Sequence, residues 1–286
     1  AAQLARLPAE ETAFEARALH GRAAELYLQA AEGRAVLKSH SVDNRMLGAR
    51  ETFRGGFHGT AEPLLVRLSE ELDLTDDRAV EVRWMQARTL QELGRHEEAV
   101  TALARFLTDH RDAPHWAHDA YFELARSFER LGLFEEAEKT LVEFLFRYDN
   151  VTPESPRWRD GLFALGDVQA RLALDLRAHR REAEAADRAA HAERNLADAV
   201  RRFPTAYDQR LRAEYRLGLL AMARRDWAGA AARFRAALGL PAAGIAADAG
   251  EITRRCSLLL GECHYQLGEW SEALSSFGQA WTTRGG

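Results

Sequence analysis

Proline is scarce in this sequence, with seven residues in 286, and cysteine is scarcer, with two. Few prolines leave long helices uninterrupted. Cys256 and Cys263 stand seven residues apart in a predicted helix. At about 1.5 Å of rise per residue their Cα atoms lie roughly 10 Å apart, beyond the ~7 Å that a disulfide spans. They are expected to be buried thiols, and a disulfide scaffold is excluded. Lysine is nearly absent: Lys38 and Lys139 are the only two among 39 basic residues, and we read the arginine excess as base composition first and chemistry second. Positive charge is not in surplus either. A net charge of −5 and a pI near 6.1 argue against a nucleic-acid binder. No run approaches the roughly 18 to 20 apolar residues of a membrane span. The start, "AAQLARLPAEE", has neither an initiator Met nor an apolar stretch, so a signal peptide is expected to be absent or already removed.

What is abundant is Ala, Leu, Glu and Arg, a composition that favours helix. Within it one string recurs: "LGRHEEAVTAL" from Leu93, "LGLFEEAEKTL" from Leu131, "LGEWSEALSSF" from Leu267, and, eroded, "RRDWAGAAARF" from Arg224. The copies align on Ala61, Ala99, Ala137, Ala230 and Ala273. Five residues earlier stand Gly56, Gly94, Gly132, Arg225 and Gly268, and three earlier His58, His96, Phe134, Trp227 and Trp270. The first three copies are 38 residues apart and the last two 43 apart, with 93 between Ala137 and Ala230. One longer unit fits that gap, and Leu165-Gly166 marks it.

Each unit reads as helix, tight turn, helix. Glycine takes the left-handed conformation that closes the first helix at little steric cost. Glu135 and Glu136 fall in the first turn of the second helix, where the dipole favours negative charge. The alanine marks a close helix–helix approach that a larger residue would overpack.

These units resemble tetratricopeptide repeats. Leu124, Ala125, Phe128, Gly132 and Ala137 match that family's pattern, as do Leu217, Gly218, Ala230, Phe234 and Ala237, and Leu260, Gly261, Gly268, Ala273, Phe277 and Ala280. The resemblance implies an all-α, right-handed solenoid of helix-turn-helix hairpins. The spacing exceeds the family's usual repeat of about 34 residues, which suggests longer loops at "RDAPHWAH" and "YDNVTPESPRW". Long repeats of this kind are similar to bacterial envelope proteins, the outer-membrane assembly lipoprotein and the Tol–Pal-associated repeat proteins. That likeness favours periplasm or cell envelope over cytoplasm.

Residues 42–283 are expected to form about six repeats. An insertion of about 14 residues around 175–192, within "DLRAHRREAEAADRAAHAER", should add about two turns to each helix of its hairpin. Its balanced charges suit either a solvated hairpin or a docking surface. Residues 1–41 read as an N-terminal helix, broken or bent near Gly21, or an eroded repeat, followed by a loop at "KSHSVDN".

Motifs for chemistry are missing. There is no phosphate-binding glycine loop, HExxH, GxSxG or CxxC, so no catalytic residue, cofactor or metal is assigned. His110, His115, His118 and Asp119 are the best metal candidates, and also ordinary residues at a helix start. Arg50, Arg88 and Arg126 recur at 38-residue intervals, with Met46, Trp84 and Phe122 four positions before them and Phe163 and Tyr215 continuing the apolar row. The resemblance places these positions on a concave groove that binds an extended peptide or helix. An arginine row beside apolar side chains suits a segment carrying anchors and carboxylates. It does not match the two-carboxylate clamp of the chaperone-binding members. The other reading makes the aromatics inter-repeat core and pairs the arginines with Glu81, Glu92, Glu123 or Glu129. The expected function is a non-enzymatic interaction scaffold in a larger assembly. The alternatives are an envelope assembly factor and a regulatory or substrate-recruiting domain of a larger enzyme.

Overall fold

The structure, a computed structural model, describes residues 9–32, 38–73, 76–110, 114–148, 156–241 and 249–282. Among them are thirteen helices and no strand. They are α1 (Ala9–Glu32), α2 (Lys38–Arg54), α3 (His58–Glu71), α4 (Asp77–Glu92), α5 (His96–Asp109), α6 (Pro114–Arg130), α7 (Phe134–Tyr148), α8 (Pro156–Ala178), α9 (Glu182–Arg202), α10 (Tyr207–Ala223), α11 (Trp227–Leu238), α12 (Gly250–Leu267) and α13 (Trp270–Thr282). The chain divides into two compact units, Ala1–Gly132 and Leu133–Gly286. In the first, each helix from α1 to α6 packs on its neighbour in sequence. In the second, α7 packs on α8, α8 on α9 and α10, α10 on α11, α11 on α12 and α12 on α13. This is the all-α repeat of helical hairpins that the resemblance implies.

The recurring string builds the turns. Gly56, Gly94, Gly132 and Gly268 have φ between +71° and +77°. Arg180 and Arg225 take the same left-handed conformation, at +61° and +62°. The amide after the left-handed residue then bonds back to the closing helix, as from Arg95 to the Leu90 carbonyl and from Asp226 to that of Ala221. This six-to-one closure satisfies carbonyls that the helix end leaves unpaired. Five residues beyond each left-handed residue comes a buried alanine: Ala61, Ala99, Ala137, Ala185, Ala230 and Ala273.

Small residues on the first helices admit large ones from the second. A Cβ on Gly218 would lie 2.4 Å from the Phe234 ring, and one on Gly261 would lie 2.6 Å from that of Phe277. Gly166 meets Leu196 in the same way. Ala49, Ala87 and Ala125, buried on α2, α4 and α6, occupy the corresponding place.

The long hairpin extends this rule. Gly218 and Gly261 each precede their left-handed residue by seven positions, whereas Gly166 precedes Arg180 by fourteen. Ala192 follows Arg180 by twelve positions in place of five, and Ala185 takes the local turn position. Each helix thus gains seven residues, about two turns.

Near the N-terminus the structure differs from the sequence reading. Helix α1 is unbroken across Gly21, whose absent side chain makes room for the Phe57 ring. "KSHSVDN" is helical, inside α2, where the Ser41 hydroxyl donates to the Ala31 carbonyl and ties the two helices together. Of "RDAPHWAH", residues 111–113 lie outside the described residues and 114–118 are helical, because Pro114 opens α6, a position where its missing N–H costs nothing.

Candidate functional site

The arginine row begins as a helical consequence of spacing: Arg50, Arg88 and Arg126 sit on α2, α4 and α6 of the first unit. There it engages the next first helix along. Arg50 Nε donates to Glu81 Oε1 at 2.6 Å, and the guanidinium closes a second bond to the other carboxylate oxygen. That pairing pushes the Arg50 pKa above its ordinary value. Arg88 is 18% exposed and donates to Glu123 Oε2 at 2.5 Å and to Gln91 Oε1 at 2.8 Å. Glu123 itself is 1% exposed. Gln91 completes the junction, donating to the Glu123 carbonyl and the Ser127 hydroxyl, both at 2.7 Å. Arg88 therefore braces α4 against α6. A buried carboxylate at this depth needs such a partner.

Arg126 is placed differently. It approaches Glu123 at 3.4 Å and stays 47% exposed. Arg130, one turn further along α6, is exposed as well. Together with Arg88, Gln91, Glu92 and His96 they line a polar recess of about 150 Å³. Sequence spacing did not pick out Arg130, because the 38-residue register was traced through Arg126 alone.

The apolar row lies deeper. Phe122 and Phe163 are buried, as is Met46. Trp84 is half-buried between Phe53 and Trp116, at ring-centroid distances of 6.1 and 5.3 Å. Tyr215 packs on Phe234 at 6.4 Å. These five side chains build interior, in the two units separately.

Among the described residues no three His, Cys, Asp or Glu side chains converge on a point that could hold a metal ion. His110 Nε2 lies 3.1 Å from Arg83 Nη1, a cationic neighbour unsuited to a metal. His118 faces Asp119 at 3.8 Å, and the His115 side chain lies outside the described residues. Both cysteines are buried, and burial pushes their thiols up, to about 12 for Cys256 and about 11 for Cys263. Neither is a thiolate nucleophile near neutral pH. No described helix is long and apolar enough to cross a membrane.

A tetratricopeptide repeat family model matches residues 81–113, which span α4 and α5. No curated protein matches the chain. Solved structures share its fold at low identity. A tetratricopeptide repeat protein from Parabacteroides merdae is 12% identical over 85% of this chain and 79% of its own, with a TM-score of 0.58. The apo form of RapI is 9% identical over 95% and 76%, at 0.64. A signal-transduction ATPase with a tetratricopeptide repeat sensor, from Pyrococcus horikoshii, is 15% identical over 95% of this chain and 40% of its own, also at 0.64. The fold is tetratricopeptide-repeat-like.

Proposed function

We propose that this chain is a non-enzymatic scaffold that holds a protein partner, an extended peptide or helix, within a larger assembly. The observation that carries the reading is the pair Arg126 and Arg130. They are cations exposed on a repeat fold of the kind that typically mediates protein–protein interaction. Guanidinium groups recognise carboxylates through paired hydrogen bonds, so the partner segment carries Asp or Glu. Within the same unit Trp84 and Phe122 pack in the interior behind this surface, and Arg50 and Arg88 hold the unit's first helices in register.

The test separates contact from support. Arg126→Glu with Arg130→Glu abolishes capture of the partner identified by pull-down and mass spectrometry, with the melting temperature nearly unchanged. Arg88→Glu instead lowers the melting temperature, because it sets a second carboxylate against buried Glu123. Undiminished capture by the Arg126/Arg130 variant contradicts the reading.

We further propose that the assembly lies at the bacterial cell envelope, because the long repeats resemble those of bacterial envelope repeat proteins. Fractionation of the source cells tests that placement. One observation favours a second reading. The Pyrococcus protein joins a comparable array to an ATPase, and this chain covers 40% of it. A sensing or recruiting domain of a longer enzyme has that architecture.

A further inference from the structure

The donors that line the polar recess of the first unit fall into two sets. Arg88 is committed. Its guanidinium donates to Glu123 Oε2 at 2.5 Å, to Gln91 Oε1 at 2.8 Å and to Glu92 Oε1 at 3.2 Å. Both carboxylates of the recess are therefore bonded to this one cation. Arg126 and Arg130 are not committed in this way. Arg126 reaches the Glu123 oxygen that Arg88 already holds, and only at 3.4 Å. Arg130 is bonded to none of the described residues. His96 lines the recess as well. Its buried Nδ1 has no hydrogen-bond partner, so no neighbour dictates which ring nitrogen carries the proton.

Arg126 and Arg130 stand i, i+4 on α6 and project from one face of it. Like charges at that spacing repel, and an anion held between them turns the repulsion into attraction. The number of acceptor atoms selects the anion. Each guanidinium offers a fork of parallel N–H groups. A carboxylate has two oxygens, which a single fork fills. A phosphate monoester has three terminal oxygens, which two forks take by sharing one. Its charge of about −1.5 to −2 near pH 7 also matches two cations. Size agrees: a cavity of about 150 Å³ accommodates benzene, with its six heavy atoms. The recess has about that volume, and a phosphate group has five heavy atoms.

We propose that this recess binds the phosphate of a phosphorylated serine or threonine on the partner segment, so that phosphorylation of the partner switches capture on. The proposal rests on the scaffold reading and sharpens its carboxylate chemistry to a phosphomonoester. The probe is a fluorescein-labelled peptide, Gly-Ala-Leu-Glu-Ser-Leu-Glu-Ala-Gly, phosphorylated on its serine. The same peptide with glutamate in place of that serine is the comparison. Fluorescence anisotropy with the full chain should show saturable binding of the phosphopeptide, about tenfold or more tighter than of the glutamate form. Arg126→Gln and Arg130→Gln should each weaken it by about tenfold or more. Both positions are exposed, so circular dichroism should find the variants folded. Arg67→Gln, at an arginine 67% exposed on α3, should leave the affinity unchanged. Absence of saturable binding, equal affinity for the two peptides, or indifference to Arg130→Gln overturns the proposal. So does inorganic phosphate that binds as tightly as the phosphopeptide, since the free ion would then be the ligand. Equal affinity for the two peptides leaves carboxylate capture through Arg126 and Arg130 standing. That reading is contradicted instead by undiminished capture in the Arg126→Glu, Arg130→Glu variant, so the two ideas fail separately.

Discussion

Arg180 and Arg225 occupy left-handed backbone where the four other turns have glycine. A side chain in that conformation costs roughly 1–2 kcal/mol, partly offset because glycine is more flexible when unfolded. Arg180→Gly and Arg225→Gly, both at exposed sites, should therefore each stabilise the fold by about 0.5–1 kcal/mol. Urea unfolding followed by circular dichroism would register the shift. The opposite error is available at Gly218, where a methyl group would meet Phe234 at 2.4 Å. Gly218→Ala should destabilise by about 1–3 kcal/mol although alanine is the better helix former, and a neutral melt would argue against that packing. Most of this was legible in the sequence, because a glycine five residues before an alanine is a rule with a backbone cause. Arg180 was not, since seven extra residues on either side displaced it from the alignment.

At the scale of single elements, periodicity reveals which face of a helix a residue occupies but not how deep that face is covered. Arg50, Arg88 and Arg126 looked equivalent at 38-residue spacing, yet Arg88 is clamped by buried Glu123 while Arg126 is open. Burial of Glu123 depends on α4 and α6 meeting, which no local pattern records. The pairing alternatives named from sequence included three of the partners found, Glu81, Glu92 and Glu123. The end of α5 adds a pH response. Burial, and then the positive charge of Arg83, hold the His110 pKa below its ordinary value. The folded state thus binds this proton less well than the unfolded chain does. The stability it confers is present above the unfolded value, near 6.5, and is lost as pH falls through that value toward the folded one. Melting temperature should drop on acidification below that point, and His110→Gln should flatten the profile. Identical profiles for the two proteins would rule His110 out as the cause.

Over the whole molecule, the conspicuous motif and the candidate function occupy different residues. Glu135 and Glu136 begin α7, and Glu97 and Glu98 begin α5, where they favour the helix dipole by a few tenths of a kcal/mol to about one. Turn glycine and packing alanine set the hairpins, and that layer could be read from composition and spacing. The exposed layer could not, because repeat folds keep their scaffold and vary their surface. Partner capture by the full chain, compared across two sets of variants, therefore tests the account most directly. Arg126→Glu with Arg130→Glu should abolish capture, while Glu135→Gln with Glu136→Gln should leave it intact. Capture that survives the arginine changes and disappears with the glutamate changes would place function in the motif itself and contradict the account.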